Sequence, residues 1–172
     1  LTVQVTPQSA GWSYVGFEVY KLASNEQLNY ETVDQEVAVV VMSGIVSFKT
    51  ATNEWKNVGK RMSVFEQIPP YLLYVPPLDV IEVVAHTDAE LAFCKAPAKG
   101  ELAARLITPE QINVEGRGKG SAERYIHNLL PESEPAESLL VVEVFTPEGH
   151  WSSYPPHEHD ELDLPHQSLL EE

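Results

Sequence analysis

Val37-Ala-Val-Val-Val-Met42, closed by Ser43-Gly44 and followed by Ile45-Val-Ser-Phe48, is the stretch that decides the fold class of this 172-residue chain. Its periodicity reads as strand rather than helix: two short strands around a turn or bulge. The same reading extends outward. Tyr71-Leu-Leu-Tyr-Val75 is closed by Pro76-Pro77, Val80-Ile-Glu-Val-Val-Ala85 follows, and Ala89-Glu-Leu-Ala-Phe-Cys94 ends before Pro97. Leu139-Leu-Val-Val-Glu-Val-Phe-Thr146 is a further strong strand, ending at Pro147-Glu-Gly149. Short β-rich runs divided by Pro, Gly and Asp at intervals of about 8–12 residues predict an all-β sandwich or barrel. Helical periodicity is weak, and the best candidate is a turn or two at Thr108-Pro-Glu-Gln111, with Thr108 as cap and Pro109 at the first helical position. There is no short repeat and no low-complexity linker.

The charge balance removes whole classes of function. Eleven Lys and Arg against 26 Asp and Glu give a net charge of −15, which excludes a broad nucleic-acid or anionic-membrane surface. The longest strictly apolar run is the six residues Val37–Met42, far short of the roughly 18 needed to span a bilayer. The start, Leu1-Thr-Val-Gln-Val5, has neither a basic nor an apolar leader region, so no secretory signal is expected. A single cysteine, Cys94, excludes an intrachain disulfide framework and fits a reducing compartment, so a cytoplasmic protein is expected.

The charge is also unevenly placed. Every Lys and Arg lies at or before Arg124, whereas eleven carboxylates follow Tyr125, and five of the six histidines (His127, His150, His157, His159, His166) share that stretch. Carboxylate together with imidazole is what a cation site needs. An acidic surface alone would not account for the imidazoles. The predicted organisation is one all-β unit over residues 1–115, a turn-rich connection at Gly116-Arg-Gly-Lys-Gly-Ser121, and the opening strands of a second unit, residues 116–172. The glycines of the connection lack a Walker pattern and read as a plain link rather than a phosphate cradle.

Within the second unit, Gly149-His-Trp-Ser-Ser-Tyr-Pro-Pro-His-Glu-His-Asp160 carries the sharpest chemical signal. His157 and His159 are two apart, so on an extended strand both imidazoles project from one face and can chelate one ion, with a carboxylate as third ligand. These residues resemble the cupin signature, a glycine followed by His-x-His, a short gap to Glu, and a later His. Ser152-Ser-Tyr-Pro-Pro-His-Glu-His-Asp160 and Leu164-Pro-His-Gln-Ser-Leu-Leu-Glu-Glu172 resemble the 5-deoxy-glucuronate isomerase family of myo-inositol catabolism. So do Ser9–Val19, Ser63–Tyr71, Tyr74-Val-Pro-Pro77, Arg105–Glu110, Asn128-Leu-Leu-Pro-Glu132 and Glu137–Val144, which spread the resemblance along essentially the whole chain.

The resemblance implies a bicupin of two jelly-roll β-barrels, with a divalent metal (Zn, Mn, Ni or Fe) in the second barrel only. The first unit holds one histidine, His86, and no His-x-His, in agreement. Carried over by motif, the ligands are His157, His159 and Glu172, with Glu171 and then Asp163 as alternatives for the carboxylate. A chain ending at Glu172 leaves the second barrel incomplete, so the expectation is a fragment, with the last histidine ligand on a later strand. The Glu between the histidines stands where the family commonly has Lys, and His150 where it commonly has Asn; neither is expected to bind the ion. The implied activity is metal-assisted aldose–ketose isomerisation of 5-deoxy-glucuronate to 5-dehydro-2-deoxy-gluconate. The general base is unassigned; Glu143 and Tyr154 are nearby but read as structural. Arg117 and Arg124 are the nearest cations by sequence for a substrate carboxylate, though both read as surface residues. An Fe(II) dioxygenase on the same barrel and a non-catalytic sugar-acid binding module are the rival readings. The expected partner is a small-molecule sugar acid, with no nucleic acid and no membrane, and oligomeric state, a homo-oligomer included, stays open.

Overall fold

A computed structural model describes residues 1–153, 161–166 and 169–171. Thirteen strands, one short helix and three 3₁₀ turns make up the elements of the described residues, so the all-β expectation holds. The strands are β1 (Val3–Val5), β2 (Gly16–Leu22), β3 (Gln27–Glu31), β4 (Gln35–Ser43), β5 (Val46–Lys49), β6 (Glu54–Val58), β7 (Leu72–Val75), β8 (Val80–Ala85), β9 (Ala89–Pro97), β10 (Arg105–Ile107), β11 (Asn113–Arg117), β12 (Arg124–Leu130) and β13 (Val141–Phe145). Three sheets form. One has six strands in the order β1-β2-β9-β4-β7-β10, one has four in the order β3-β8-β5-β6, and one has three, β11-β12-β13.

The apolar run that opens the analysis is explained by its place in this stack. On β4 the side chains alternate, and both sides are covered. Val37, Val39 and Val41 join Leu73, Val75, Leu91 and Phe93 in a core shared with Val46, Phe48, Ile81 and Val83 of the four-stranded sheet. Ala38 and Val40 join Leu72, Tyr74 and Ala92 in a second core, on the opposite face, closed by Ile112, Leu129, Leu130, Leu139 and Val141. A strand buried on both faces has no polar alternation to show, which is why Val37–Met42 is unbroken. The six-stranded sheet is therefore the middle layer of three.

Local chemistry places the turns. Gly44 adopts φ +91°, and a Cβ there would collide with the Asp88 carbonyl oxygen, so the predicted Ser43-Gly44 turn needs glycine. Pro109 opens a 3₁₀ turn, Pro109–Gln111, with Thr108 at the cap position and the Gln111 side chain accepting from the Thr108 N–H at 2.8 Å. The expected helix is thus a single tighter turn. Gly116-Arg-Gly-Lys-Gly-Ser121 lies within one hairpin: β11 and β12 pair antiparallel from Asn113↔Asn128 to Arg117↔Arg124, and the chain reverses between them. Gly118, at φ +80°, brings the backbone against the Ala122 carbonyl, a close approach that leaves no room for a side chain. The position between 115 and 116 at which the sequence divides falls inside β11, and the three-stranded sheet itself starts at Asn113.

Candidate functional site

The two faces of the three-stranded sheet are chemically different, and the register assigns each side chain to one of them. Ile126 lies opposite Val144, His127 opposite Glu143 and Asn128 opposite Val142, so His127 and Glu143 share one face while Ile126, Asn128, Val142 and Val144 share the other.

The first face is locked to the rest of the fold by Arg61, a residue that sequence reading missed. Its guanidinium is 1% exposed and grips the Glu143 carboxylate with both arms, Nη2 to Oε1 at 2.6 Å and Nη1 to Oε2 at 2.9 Å. Nε donates to the Met42 carbonyl at 2.8 Å and Nη1 also to that of Ile68 at 2.9 Å. His127 Nδ1 lies 2.9 Å from Glu143 Oε2. A carboxylate paired with a guanidinium only accepts, so His127 carries its proton on Nδ1. Its ring meets Phe145 edge-on at 5.0 Å. Glu143 is therefore committed to a buried, hydrogen-bonded ion cluster.

Three further carboxylates act as staples, each holding three consecutive backbone N–H groups. Fully buried Glu36 takes those of Glu137, Ser138 and Leu139 at 2.9, 2.6 and 2.7 Å, and the Tyr74 hydroxyl at 2.6 Å. The Glu137 side chain takes those of Lys99, Gly100 and Glu101. Glu171 takes those of Ser13, Tyr14 and Val15 at 2.6, 2.7 and 2.9 Å. The Lys99 N–H, then those of Glu101 and Gly100, hold the Glu137 carboxyl below the usual carboxylate range. For Glu171 desolvation pushes upward, but the three N–H donors outweigh it and the net shift is down.

A carboxyl with a lowered folded pKa adds stability that is complete above its unfolded value, about 4.3, and is lost as pH falls through the folded value. The chain is therefore expected to lose stability progressively below about pH 4.3. In urea titrations at pH 5 and pH 3, Glu137→Gln should show a smaller acid-induced drop in midpoint than the unsubstituted chain. Equal drops would show that Glu137 contributes nothing to the acid limb.

The first unit has its own buried ion pair. Lys95 Nζ meets Glu18 Oε1 at 2.7 Å, with Gln4 and Tyr20 also hydrogen-bonded to the Glu18 carboxylate. Desolvation pushes the Glu18 carboxyl up, yet the hydrogen bonds from Lys95 and Gln4 bring it below its ordinary value. Burial and the neighbouring Glu18 charge push the Tyr20 hydroxyl up to about 12. No buried polar side-chain atom among the described residues lacks a partner, so this cluster is internally satisfied.

The sequence-predicted site residues are distributed as follows. His157, His159 and Glu172 lie outside the described residues, as does Tyr154. Glu171 is the staple on Ser13–Val15, so both of its oxygens already accept protein donors. Asp163 is exposed and accepts, through its carbonyl, the N–H of His166 at 2.7 Å. His86 is exposed and 2.6 Å from the Ser47 hydroxyl. His127 belongs to Glu143, and His150 Nδ1 donates to the Glu123 carbonyl at 2.8 Å. Two of the five clustered imidazoles, His127 and His150, thus have protein partners. Among the described residues no group of three or more His, Cys, Asp or Glu is arranged to hold a metal. No helix among them is long and apolar enough to cross a membrane.

The second face carries Glu115 and Asn128, linked at 3.2 Å, with Arg117 bound to Glu115 through Nε at 2.9 Å and Nη2 at 2.5 Å. Val142 and Val144 on the same face are exposed.

Comparison with known proteins adds the context. A model of the KduI/IolB family matches residues 1–172. The chain is 61% identical over 170 residues to a protein of Geobacillus thermodenitrificans (strain NG80-2) named 5-deoxy-glucuronate isomerase, covering 99% of this chain and 62% of that protein. It is 41% identical over 173 residues to one of the same name from Bacillus subtilis (strain 168), covering 100% of this chain and 64% of that protein. A crystal structure of an IolB-like protein from Salmonella typhimurium LT2 superposes with a TM-score of 0.93 at 44% identity, covering 96% of this chain and 63% of that one. The chain thus spans between three-fifths and two-thirds of the length of these relatives.

Proposed function

From the premise that this chain belongs to the KduI/IolB family, we propose that it is part of a metal-dependent sugar-acid isomerase that converts 5-deoxy-glucuronate to 5-dehydro-2-deoxy-gluconate in inositol catabolism. What carries the reading is likeness along the whole chain to proteins named for that isomerase activity. The reaction moves a proton between two neighbouring carbons, turning an aldehyde beside a hydroxylated carbon into a ketone beside a hydroxymethyl group. It needs a group that takes and returns the proton, and something that draws electrons from the carbonyl.

The architecture under this reading is a bicupin. Strands β2-β9-β4-β7 facing β3-β8-β5-β6 have the order of a jelly roll, the first barrel, and the three-stranded sheet begins the second. The exposed Val142 and Val144 of that sheet support it, because apolar side chains on an open sheet face ask for a cover. The relatives are longer than this chain, and their additional residues are what the reading places there. The first barrel is filled by its own side chains and serves as the platform, while the chemistry sits in the second. The setting is cytoplasmic and the partner a soluble sugar acid.

The metal would be held by His157 and His159 with Glu172 as the carboxylate. Imidazole and carboxylate donors suit Zn, Mn, Ni or Fe, and a bound divalent ion supplies Lewis-acid polarisation of the sugar carbonyl. The chain's own described residues do the supporting work. Arg61 and His127 hold Glu143, which fixes β13 against the first unit and leaves that carboxylate unavailable as proton carrier. Glu36 and Glu137 tie the approach to β13 onto the same platform.

The test is made on the complete protein, with metal analysis and an assay on 5-deoxy-glucuronate. The double substitution His157→Ala and His159→Ala should remove bound metal and turnover together. Metal-free enzyme made by chelation should be inactive until a divalent ion is returned. Turnover that persists without metal would overturn the mechanism, and absence of isomerase activity in the metal-loaded protein would overturn the function.

A further inference from the structure

We infer that Arg117 and Arg124, side by side at the end of the β11–β12 hairpin, form the element that recognises the carboxylate of the substrate. This rests on the isomerase reading above and goes beyond it by assigning the acid-binding residues. The two are direct cross-strand partners, so their side chains leave the same face of the sheet. That face is the one carrying Glu115, Asn128, Val142 and Val144, opposite to the face Arg61 locks down.

Three observations give the pair its function. Like charges directly opposite on neighbouring strands are unfavourable unless an anion joins them. Arg117 has Glu115 as its anion, whereas the interaction recorded for Arg124 among the described residues is one bond from Nη1 to the Ala122 carbonyl at 3.0 Å, leaving Nε and Nη2 of its fork to bind a carboxylate. The surroundings are also strongly acidic. Residues 116–172 contain three cations, Arg117, Lys119 and Arg124, and eleven carboxylates follow Tyr125. The three cations of this unit therefore all lie at this hairpin, which concentrates there the positive charge that would attract an anionic substrate.

Arg117 is also able to change partners. Glu115 keeps its bond from Asn128 when Arg117 swings away. The hairpin is tethered to the chain that continues toward the His-x-His stretch: the Trp151 N–H donates to the Ser121 carbonyl at 2.8 Å and His150 to that of Glu123. Five residues separate Trp151 from His157 in sequence.

The experiment measures steady-state kinetics of the complete, metal-loaded protein on 5-deoxy-glucuronate, with thermal melting as a check on folding. Arg117→Gln with Arg124→Gln should raise KM about 10–100-fold, the loss of one or two charge-assisted hydrogen bonds, while kcat changes less than about threefold. Lys119→Gln, which removes a charge from the same hairpin outside the pair, should leave KM unchanged. Arg117→Lys with Arg124→Lys, which keeps charge but not the planar fork, should fall between and serves as the deciding variant if the glutamine pair does not fold. An unchanged KM in folded, active protein overturns the assignment while leaving the isomerase reading intact. Absence of isomerase activity in the unsubstituted protein overturns both.

Discussion

Arg61→Ala is expected to destabilise the chain by about 3–5 kcal/mol, the usual consequence of removing one partner from a buried ion pair. The reason lies in what the arginine leaves behind. The Glu143 carboxylate loses two guanidinium bonds in a site where it is mostly shielded from water, and the Met42 and Ile68 carbonyls lose their donors. His127 then remains as the partner of an otherwise uncompensated anion. For a chain of this size such a loss corresponds to a drop in Tm of roughly 6–20 °C. Arg61→Lys should recover only part of it, because an ammonium cannot reproduce the fork. Arg61→Met combined with Glu143→Leu should be closer to the unsubstituted chain than Arg61→Ala alone, since no buried charge is then stranded. A fall in Tm of only a degree or two in Arg61→Ala would show that the cluster is solvated and contributes little.

Glu36→Ala should cost a comparable amount, on the order of 3–5 kcal/mol, from the stranding of several buried donors. Glu36 is fully buried, and its loss leaves three N–H groups and the Tyr74 hydroxyl without acceptors. Burial and the Glu36 carboxylate push the Tyr74 hydroxyl above its ordinary pKa, which fits a phenol acting as a donor. The distinctive readout is local. Amide exchange at residues 137–139 should accelerate well beyond the change in the β4–β9 pairing, because the staple holds the entrance to β13 and not the middle sheet. Glu36→Gln should lie near Glu36→Ala, since turning the amide nitrogen toward these donors sets donor against donor. Undiminished protection at 137–139 would mean that the segment is held by its apolar packing alone.

These two residues also show where reading a sequence succeeds and where it stops. Val80–Ala85 was legible to the residue, and Tyr71–Val75 and Ala89–Cys94 nearly so, because β-branched runs and Pro, Gly and Asp boundaries are local signals. β11 and β12 were not: Asn113–Arg117 is mostly polar and exposed, and Arg124–Leu130 reads as a strand only beside its partners. Glu143 was legible as structural, but its partner was invisible, since Arg61 stands 82 positions away and looks like any other basic residue after a turn. The staples span still more chain, 101–103 positions for Glu36 and 156–158 for Glu171. Nothing in a Glu in sequence distinguishes one that caps a distant backbone from one that faces water.

The amino-acid order by itself determined the β class, the position of most strands, the turn glycine at Gly44, the excess of acid after Tyr125 and the His-x-His pattern at His157 and His159. Each depends on residues a few positions apart, where the two-residue period of a strand and the steric limits of the backbone act directly. Tertiary structure decided the rest: that β4 is buried on both faces, that His127 and Glu143 point toward Arg61 while Arg117 and Arg124 share the other face, and that Glu171 serves the segment at Ser13–Val15. Those facts follow from register and layer order, set when apolar faces find one another across the whole chain. A buried charge acquires its partner only once that packing has closed around it.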